Sequence, residues 1–473
     1  MKYRAPLLAL VVVLVLCAVG FYAARRIGME TAASEIAVPV AQDGGLYGLF
    51  GDGPNDDRLI GIALAQLEQD YYKPIAPQTP FRGVSSGLRA YLKTKHIVAK
   101  LPQEHATGDL AVDANDLENE VAYAQSHYGA AAGNTDLLQA ALRGMMGSVD
   151  DPYTVYLSPR EIQQLTEMLA GGDFGGVGVY ILPTRTGEIV IAPIPNLPAA
   201  RAGITEPMVL VSVDGKLTRH LTPDDVQTLI RGRTGTRVTI RAYPLGKPKA
   251  SRAFGIVREI IHVPTVSSTM EKRIDYIRLS EFGDTSAHEM RAALLNGKAH
   301  GAKGYIIDLR YNGGGLVDAA VDIVSFFVPK GAPIVSEVDR TGHALTSVGT
   351  GATIPGLQPL VILVNGSTAS ASEITAGALQ DYHLATLVGT QTFGKGVVQT
   401  IRALPGNAGA LKITVASYVT PKGRNIEHRG IRPNIIVPDP DPRLIGTARD
   451  TQLQAAKARI AQLLRATHRL RNH

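Results

Sequence analysis

Residues Asn365-Gly366-Ser367-Thr368-Ala369-Ser370-Ala371-Ser372-Glu373-Ile374, entered from the apolar stretch Pro359-Leu360-Val361-Ile362-Leu363-Val364, decide how this chain is read. The apolar stretch has the length and branching of a buried strand, and Ala371 to Gln380 is rich in helix formers. Ser370 therefore falls at a strand-to-helix turn. The first amides of a helix lack intrahelical acceptors and its dipole favours negative charge beside them. The Ala371 amide is thus a candidate oxyanion donor to whatever binds the serine.

A serine hydroxyl needs a neighbouring base, and a lysine serves only where burial disfavours its charge. Phe393-Gly394-Lys395-Gly396-Val397-Val398-Gln399 supplies one, just past the apolar strand Leu384-Ala385-Thr386-Leu387-Val388. The glycines beside Lys395 let other backbone approach, and the Gln399 amide can hold a neutral amine in place. Either piece alone also reads as tight packing after a strand, with Lys395 a loop lysine.

Taken together, the two runs resemble the carboxyl-terminal processing peptidases, or tail-specific proteases, which are Ser-Lys endopeptidases carrying a PDZ domain. The family's nucleophile is the middle serine of a Ser-Ala-Ser-Ala-Ser-Glu run, with the lysine of Phe-Gly-Lys-Gly 25 residues later, which selects Ser370 over Ser367 and Ser372. Thr368 stands where the family usually has its first serine. Asp308-Leu309-Arg310-Tyr311-Asn312-Gly313-Gly314-Gly315 resembles the family's Asp-Leu-Arg-x-Asn-x-Gly-Gly loop. The resemblance implies a second oxyanion donor there, Gly314, with Gly315 the close competitor. A phosphate loop is the rival reading, but no Gly-Lys-Ser/Thr follows. Asp381 matches a family aspartate with no role readable from sequence. A first-turn glutamate such as Glu373 is already explained by the helix dipole. Leu411 to Ile426 and Gly430-Ile431-Arg432-Pro433-Asn434 look like the family's closing strand and turn, and Ser148 to Leu157 is another family landmark.

Asp173 to His262 looks like the PDZ domain. Gly175, Gly176, Val177 and Gly178 resemble its loop for a peptide's terminal carboxylate, with the peptide adding to a sheet edge. Pro198-Ala199-Ala200-Arg201-Ala202-Gly203-Ile204 and Val211-Ser212-Val213-Asp214-Gly215 match further landmarks, while Pro207-Met208 replaces the usual Gly-Asp turn. Val226, Leu229 and Ile230, at helical spacing, either line the peptide groove or pack the core.

At 473 residues, 45% hydrophobic and 19% charged, the chain has room for two or three domains with proper cores. The formal charge of +6 comes with no nucleic-acid module. Ala5 to Ala24 is apolar, flanked by Lys2, Arg4, Arg25 and Arg26, and long enough to span a bilayer, whereas a cleavable signal core is about 7–15 residues. Cys17, the only cysteine, lies inside it, which excludes an intrachain disulfide and cysteine catalysis.

The expected architecture is an α/β and α+β multidomain chain. Residues 1–27 form an N-terminal membrane helix or signal and 28–56 a linker. A helical N-terminal region follows over 57–172, with an insertion at about 74–133. The PDZ domain covers 173–262, an α/β (crotonase/ClpP-like) protease core 263–440, and a helical tail with a solvated basic face 441–473. The expected activity is that of a membrane-anchored serine endopeptidase cutting exported or membrane proteins near their C-termini. Its catalytic residues are Ser370, Lys395 and Gln399, and its oxyanion donors Gly314 and Ala371. Its partners are proteins or peptides with free C-termini and, through the anchor, the membrane. It needs no metal, cofactor or nucleic acid, and the sequence leaves a homo-oligomer or an activating partner open. The alternative from another class is a catalytically silent PDZ adaptor. A trypsin-like enzyme needs a Gly-x-Ser-Gly-Gly turn with separate His and Asp, which are absent.

Overall fold

The computed structural model describes residues 58–103, 105–169, 174–184 and 188–471. The apolar run 5–24, Cys17 and the linker lie outside them. Among the described residues no helix is long and apolar enough to cross a membrane. The chain forms two compact units. One runs to Leu165 and takes up Val266–Phe282 and the chain from Ser286 onward; the other is Thr166–Thr265 with Gly283–Thr285.

The first unit begins with four helices, Leu59–Asp70, Gln78–Thr94, Leu110–Ala132 and Asn134–Met146. Asp109 starts the third by accepting the Ala111 and Val112 amides. The second and fourth cross at glycines, because a Cβ on Gly144 would lie 2.2 Å from the Gly83 carbonyl oxygen. Leu64, Leu88, Leu117 and Leu142 form one core with Leu404, Leu411 and Ile413, which come some 260 residues later. The helical N-terminal region is therefore part of the first unit, built onto a five-stranded sheet. In that sheet Ala410–Val419 pairs with Val397–Ala403 and, along its length, with Val155–Leu157 and Pro333–Asp339, which in turn pairs with Ala344–Val348.

The second sheet of this unit carries the glycine loop and the serine turn. Its order is Val266–Glu271, Ile274–Leu279, Gly304–Asp308, Leu360–Val364, Ala385–Gly389 and Ile435–Ile436, parallel from the second strand on. Every residue of Gly304–Asp308 and Leu360–Val364 is buried, as a parallel strand covered on both faces requires. Ile307 and Ile362 face the core shared with the helices Ser286–Ala299, Val317–Ser325 and Ala371–Asp381. Ile306, Val361 and Leu363 face Leu453, Ala456 and Ile460 of the C-terminal helix Thr451–Arg471. One face of this tail is thus buried, while Arg465 on its basic face is exposed. Parallel strands of this kind present their loops at their carboxyl ends, and Asp308 and Val364 there open the glycine loop and the serine turn.

The second unit is an antiparallel sheet in the order Val179–Pro183, Ile189–Pro193, Met208–Val213, Arg237–Pro244 and Arg252–Val257, with Lys216–Leu217 on the third strand. Its helix Pro223–Ile230 starts in a capping box between Thr222 and Asp225. Val226 and Ile230 pack the core, the second of the two readings their spacing allowed; Leu229 is partly buried against that core. Gly175 and Gly176 pair with Ile260 and Glu259, and Val177 and Gly178 lead into the edge strand Val179–Pro183, whose Tyr180 and Leu182 are exposed.

Candidate active site

The serine turn is assembled by polar side chains that leave little freedom. The buried Asn365 offers Oδ1 to the amides of Tyr311 (3.0 Å) and Ser367 (3.1 Å), which joins the glycine loop to the turn. Thr368 Oγ1 donates to the Leu309 carbonyl at 2.8 Å, and Ser372 Oγ to the Asn312 carbonyl at 3.1 Å, where the Ala369 amide also arrives. The hydroxyls on either side of Ser370 are thus spent on backbone. Ser370 itself sits at φ 57, ψ −119, a conformation rare outside glycine that persists only where its surroundings impose it.

Glu373 imposes it. This fully buried carboxylate accepts the Ser370 amide (3.0 Å) and the Lys395 amide (2.9 Å) on the same oxygen, Oε2. Its Oε1 accepts the Gly394 amide at 2.8 Å and the Thr392 hydroxyl. Burial pushes the Glu373 carboxyl up to about 7 against these four hydrogen bonds, each of which favours the carboxylate. The helix dipole alone accounts for none of this: Glu373 ties the serine turn to the lysine loop, a place the sequence did not show. Tyr418 repeats the clamp on the opposite polarity: its buried hydroxyl donates to the Lys395 carbonyl at 2.6 Å and lies 3.2 Å from that of Ser370.

Lys395 is 3% exposed, its Nζ 4.7 Å from the centroid of the Tyr153 ring. Tyr153, within the landmark 148–157, and Tyr418, within the closing strand, carried no role in the sequence. The motif spacing marks positions along the chain, and only folding shows that these rings meet the lysine loop. Burial raises the Tyr153 phenol to about 12. Glu427 accepts the Gly396 amide, and burial holds its carboxyl above the usual range against that hydrogen bond. Gln399 is buried, but its Nε2 donates to Thr414 Oγ1 at 3.4 Å and its Oε1 has no partner among the described residues. The expected hydrogen bond from Gln399 to Lys395 is therefore not formed.

The glycine loop also departs from expectation. The Gly314 amide, expected as the second oxyanion donor, donates instead to Asn312 Oδ1 at 2.8 Å. Phe282 donates to the Gly314 carbonyl and accepts from Leu316, so the Gly315 amide between them faces away from Phe282. Gly315, at φ 151, has no room for a Cβ, which would sit 1.9 Å from the Phe282 carbonyl oxygen. Its amide, rather than that of Gly314, is the one not already spent on Asn312. The Ala371 amide, first of its helix, has no intrahelical acceptor, as expected. Asp381 closes the other end of that helix by pairing with Arg424 at 2.5 Å and accepting the Lys422 amide. Among the described residues no group of three or more His, Cys, Asp or Glu is arranged to hold a metal.

Comparison with known proteins bears directly on this arrangement. The family model for peptidase family S41 matches residues 273–437. A carboxy-terminal-processing protease of Bartonella bacilliformis is 36% identical over 312 residues, which cover 65% of this chain and 70% of that protein. A carboxyl-terminal-processing protease of Synechocystis is 36% identical over 337 residues, covering 68% and 77% respectively. Among solved structures, the photosystem II D1 C-terminal processing protease matches over 81% of this chain and 94% of that one, at 26% identity and a TM-score of 0.45. The identity and coverage of the Bartonella and Synechocystis relatives show that the chain belongs to peptidase family S41, with the carboxyl-terminal-processing proteases, and is a serine peptidase.

Proposed function

We propose that the chain is a Ser-Lys endopeptidase that captures the free C-terminus of a protein substrate and cuts near it. Ser370 attacks the scissile carbonyl as Lys395 takes its proton, the amides of Ala371 and Gly315 hold the oxyanion, and water then releases the acyl group. The observation that carries this reading is the single carboxylate oxygen of Glu373, which accepts both the Ser370 and the Lys395 amides. Proton transfer converts a buried amine into an ammonium. The Tyr153 ring and the Glu427 carboxylate favour that charged product, so they lower the cost of the step. The second unit is assigned as a PDZ domain, supported by Gly175, Gly176, Val177 and Gly178 ahead of an edge strand with exposed side chains. Residues 5–24 are assigned as the anchor of a single-pass membrane protein, with the body on the exported side, on the strength of their length and apolarity.

Lys395→Ala and Lys395→Arg, assayed on fluorescein-labelled casein, test the base. A positioned general base contributes roughly 10²–10⁴-fold, and arginine cannot be deprotonated, so both variants lose activity on that scale. Near-native hydrolysis by Lys395→Arg would sink the mechanism. Carbonate extraction tests the anchor: full-length protein stays in the membrane pellet, whereas a soluble form beginning after residue 24 means that the segment is a cleaved signal.

A further inference from the structure

Arg310 lies at the start of the glycine loop and is 2% exposed. Its guanidinium is fully engaged. Nε and Nη2 donate to the two oxygens of Asp308 at 2.9 and 2.6 Å, and the Arg310 amide donates to Asp308 Oδ1 at 3.0 Å. On its other side Nη1 and Nη2 donate to Asp450 Oδ1 and Oδ2 at 3.0 and 2.7 Å, and Nη1 reaches Gln452 Oε1 at 3.1 Å. Asp450 and Gln452 are wholly buried and lie outside the residues matched by the family model. Asp450 also accepts the Leu453 amide at 3.0 Å and the Gly446 amide at 2.9 Å, so one carboxylate both starts the C-terminal helix and grips Arg310.

We infer that Asp450 is a positioning residue for peptide hydrolysis, acting through Arg310 to fix the glycine loop against the serine turn. The path is short and rigid. Arg310 is the second residue past the strand Gly304–Asp308. Its neighbour Leu309 bonds Leu363 through its amide and Thr368 through its carbonyl, and Tyr311 bonds Asn365. Asn312, Gly314 and Gly315 follow directly. Two carboxylates on one planar guanidinium fix its orientation as well as its position. Loss of one leaves Arg310 free to turn about the other, and displacement of a group by about 1 Å near reacting atoms costs roughly a hundred-fold in rate. The C-terminal helix thus serves the active site, and its first turn is the contact that matters.

The inference rests on the Ser-Lys reading, and the full-length protein distinguishes the two. Hydrolysis of labelled casein is measured for Ser370→Ala, Asp450→Asn, Gln452→Ala and Lys457→Ala, well below each melting temperature so that the folded fraction is complete. Lys457, further along the C-terminal helix and away from Arg310, pairs with Glu271 of the strand Val266–Glu271 at 2.6 Å and reports helix docking in general. Asp450→Asn sets an amide N–H₂ against the guanidinium; kcat falls roughly ten- to a hundred-fold while KM stays within about twofold, and Lys457→Ala keeps its kcat. Gln452→Ala removes the longer Nη1 acceptor together with the hydrogen bonds that Gln452 Nε2 donates to the Val437 carbonyl and Asp439 Oδ1, and loses a few-fold in kcat; it decides the matter if Asp450→Asn does not fold. Unchanged kcat in folded Asp450→Asn, or in Gln452→Ala if only that variant folds, overturns the inference. So does an equal fall in Lys457→Ala. Activity surviving in Ser370→Ala would instead strike the Ser-Lys reading.

Discussion

Glu373 shows how much one side chain can carry. Its four donors include the amides of Ser370 and Lys395, so the carboxylate fixes the serine turn and the lysine loop as one piece. Glu373→Gln keeps the shape but turns one acceptor oxygen into an N–H₂ facing donors. A hydrogen bond to a charged group contributes about 1.5–3 kcal/mol, and two are lost at once. Activity of Glu373→Gln on labelled casein is therefore expected to fall at least a hundred-fold, with circular dichroism showing a folded chain; retention within threefold would mean that the clamp is dispensable. The sequence made Ser370 and Lys395 legible because their neighbours and their 25-residue spacing are specific. It hid Glu373, Tyr153 and Tyr418 because a glutamate in a first helical turn and tyrosines beside or within strands have ordinary explanations. Gly314 and Gly315 could not be separated until the Asn312 side chain was seen to occupy one of their amides.

Among the elements, the strand Ile274–Leu279 and the helix Ser286–Ala299 bury an acid between them. Asp275 is 1% exposed, its Oδ2 has no hydrogen-bond partner among the described residues, and a Cβ on Gly297 would lie 2.1 Å from that oxygen. Burial raises its carboxyl from 3.8 to about 6. A folded-state value above the unfolded one means the folded protein holds the proton more tightly. This contribution to stability is fully present below about 3.8 and is lost as pH rises through about 6. The shift corresponds to roughly 3 kcal/mol. Urea unfolding of Asp275→Asn and the parent should therefore diverge with pH, the variant gaining up to that amount relative to the parent between pH 4 and pH 8; parallel curves would contradict it. The helices and strands around the site were readable from periodicity and apolar runs. The C-terminal helix was read by its basic face, and Arg459 and Arg465 drew attention from Leu453, Ala456 and Ile460, whose three- and four-residue spacing marks a buried face.

At the scale of the molecule, the division into two units was legible in the glycine-rich loops and landmarks. The union of the N-terminal helices with the protease sheet was not, since it depends on contacts across hundreds of residues. If the second unit captures a terminal carboxylate, amidating a peptide's C-terminus weakens capture by roughly ten- to a hundred-fold while leaving the scissile bond alone. Paired acid and amide peptides, compared at limiting substrate with the intact enzyme, read this directly, and equal rates would remove carboxylate capture as the selecting step. The expected effects on hydrolysis presuppose one nucleophile. The most direct test is hydrolysis of labelled casein by Ser370→Ala beside Ser367→Ala, with folding of both checked by circular dichroism. The account predicts that Ser370→Ala is inactive and that Ser367→Ala, exposed and away from the clamp, retains near-native activity. Hydrolysis persisting in Ser370→Ala would contradict it.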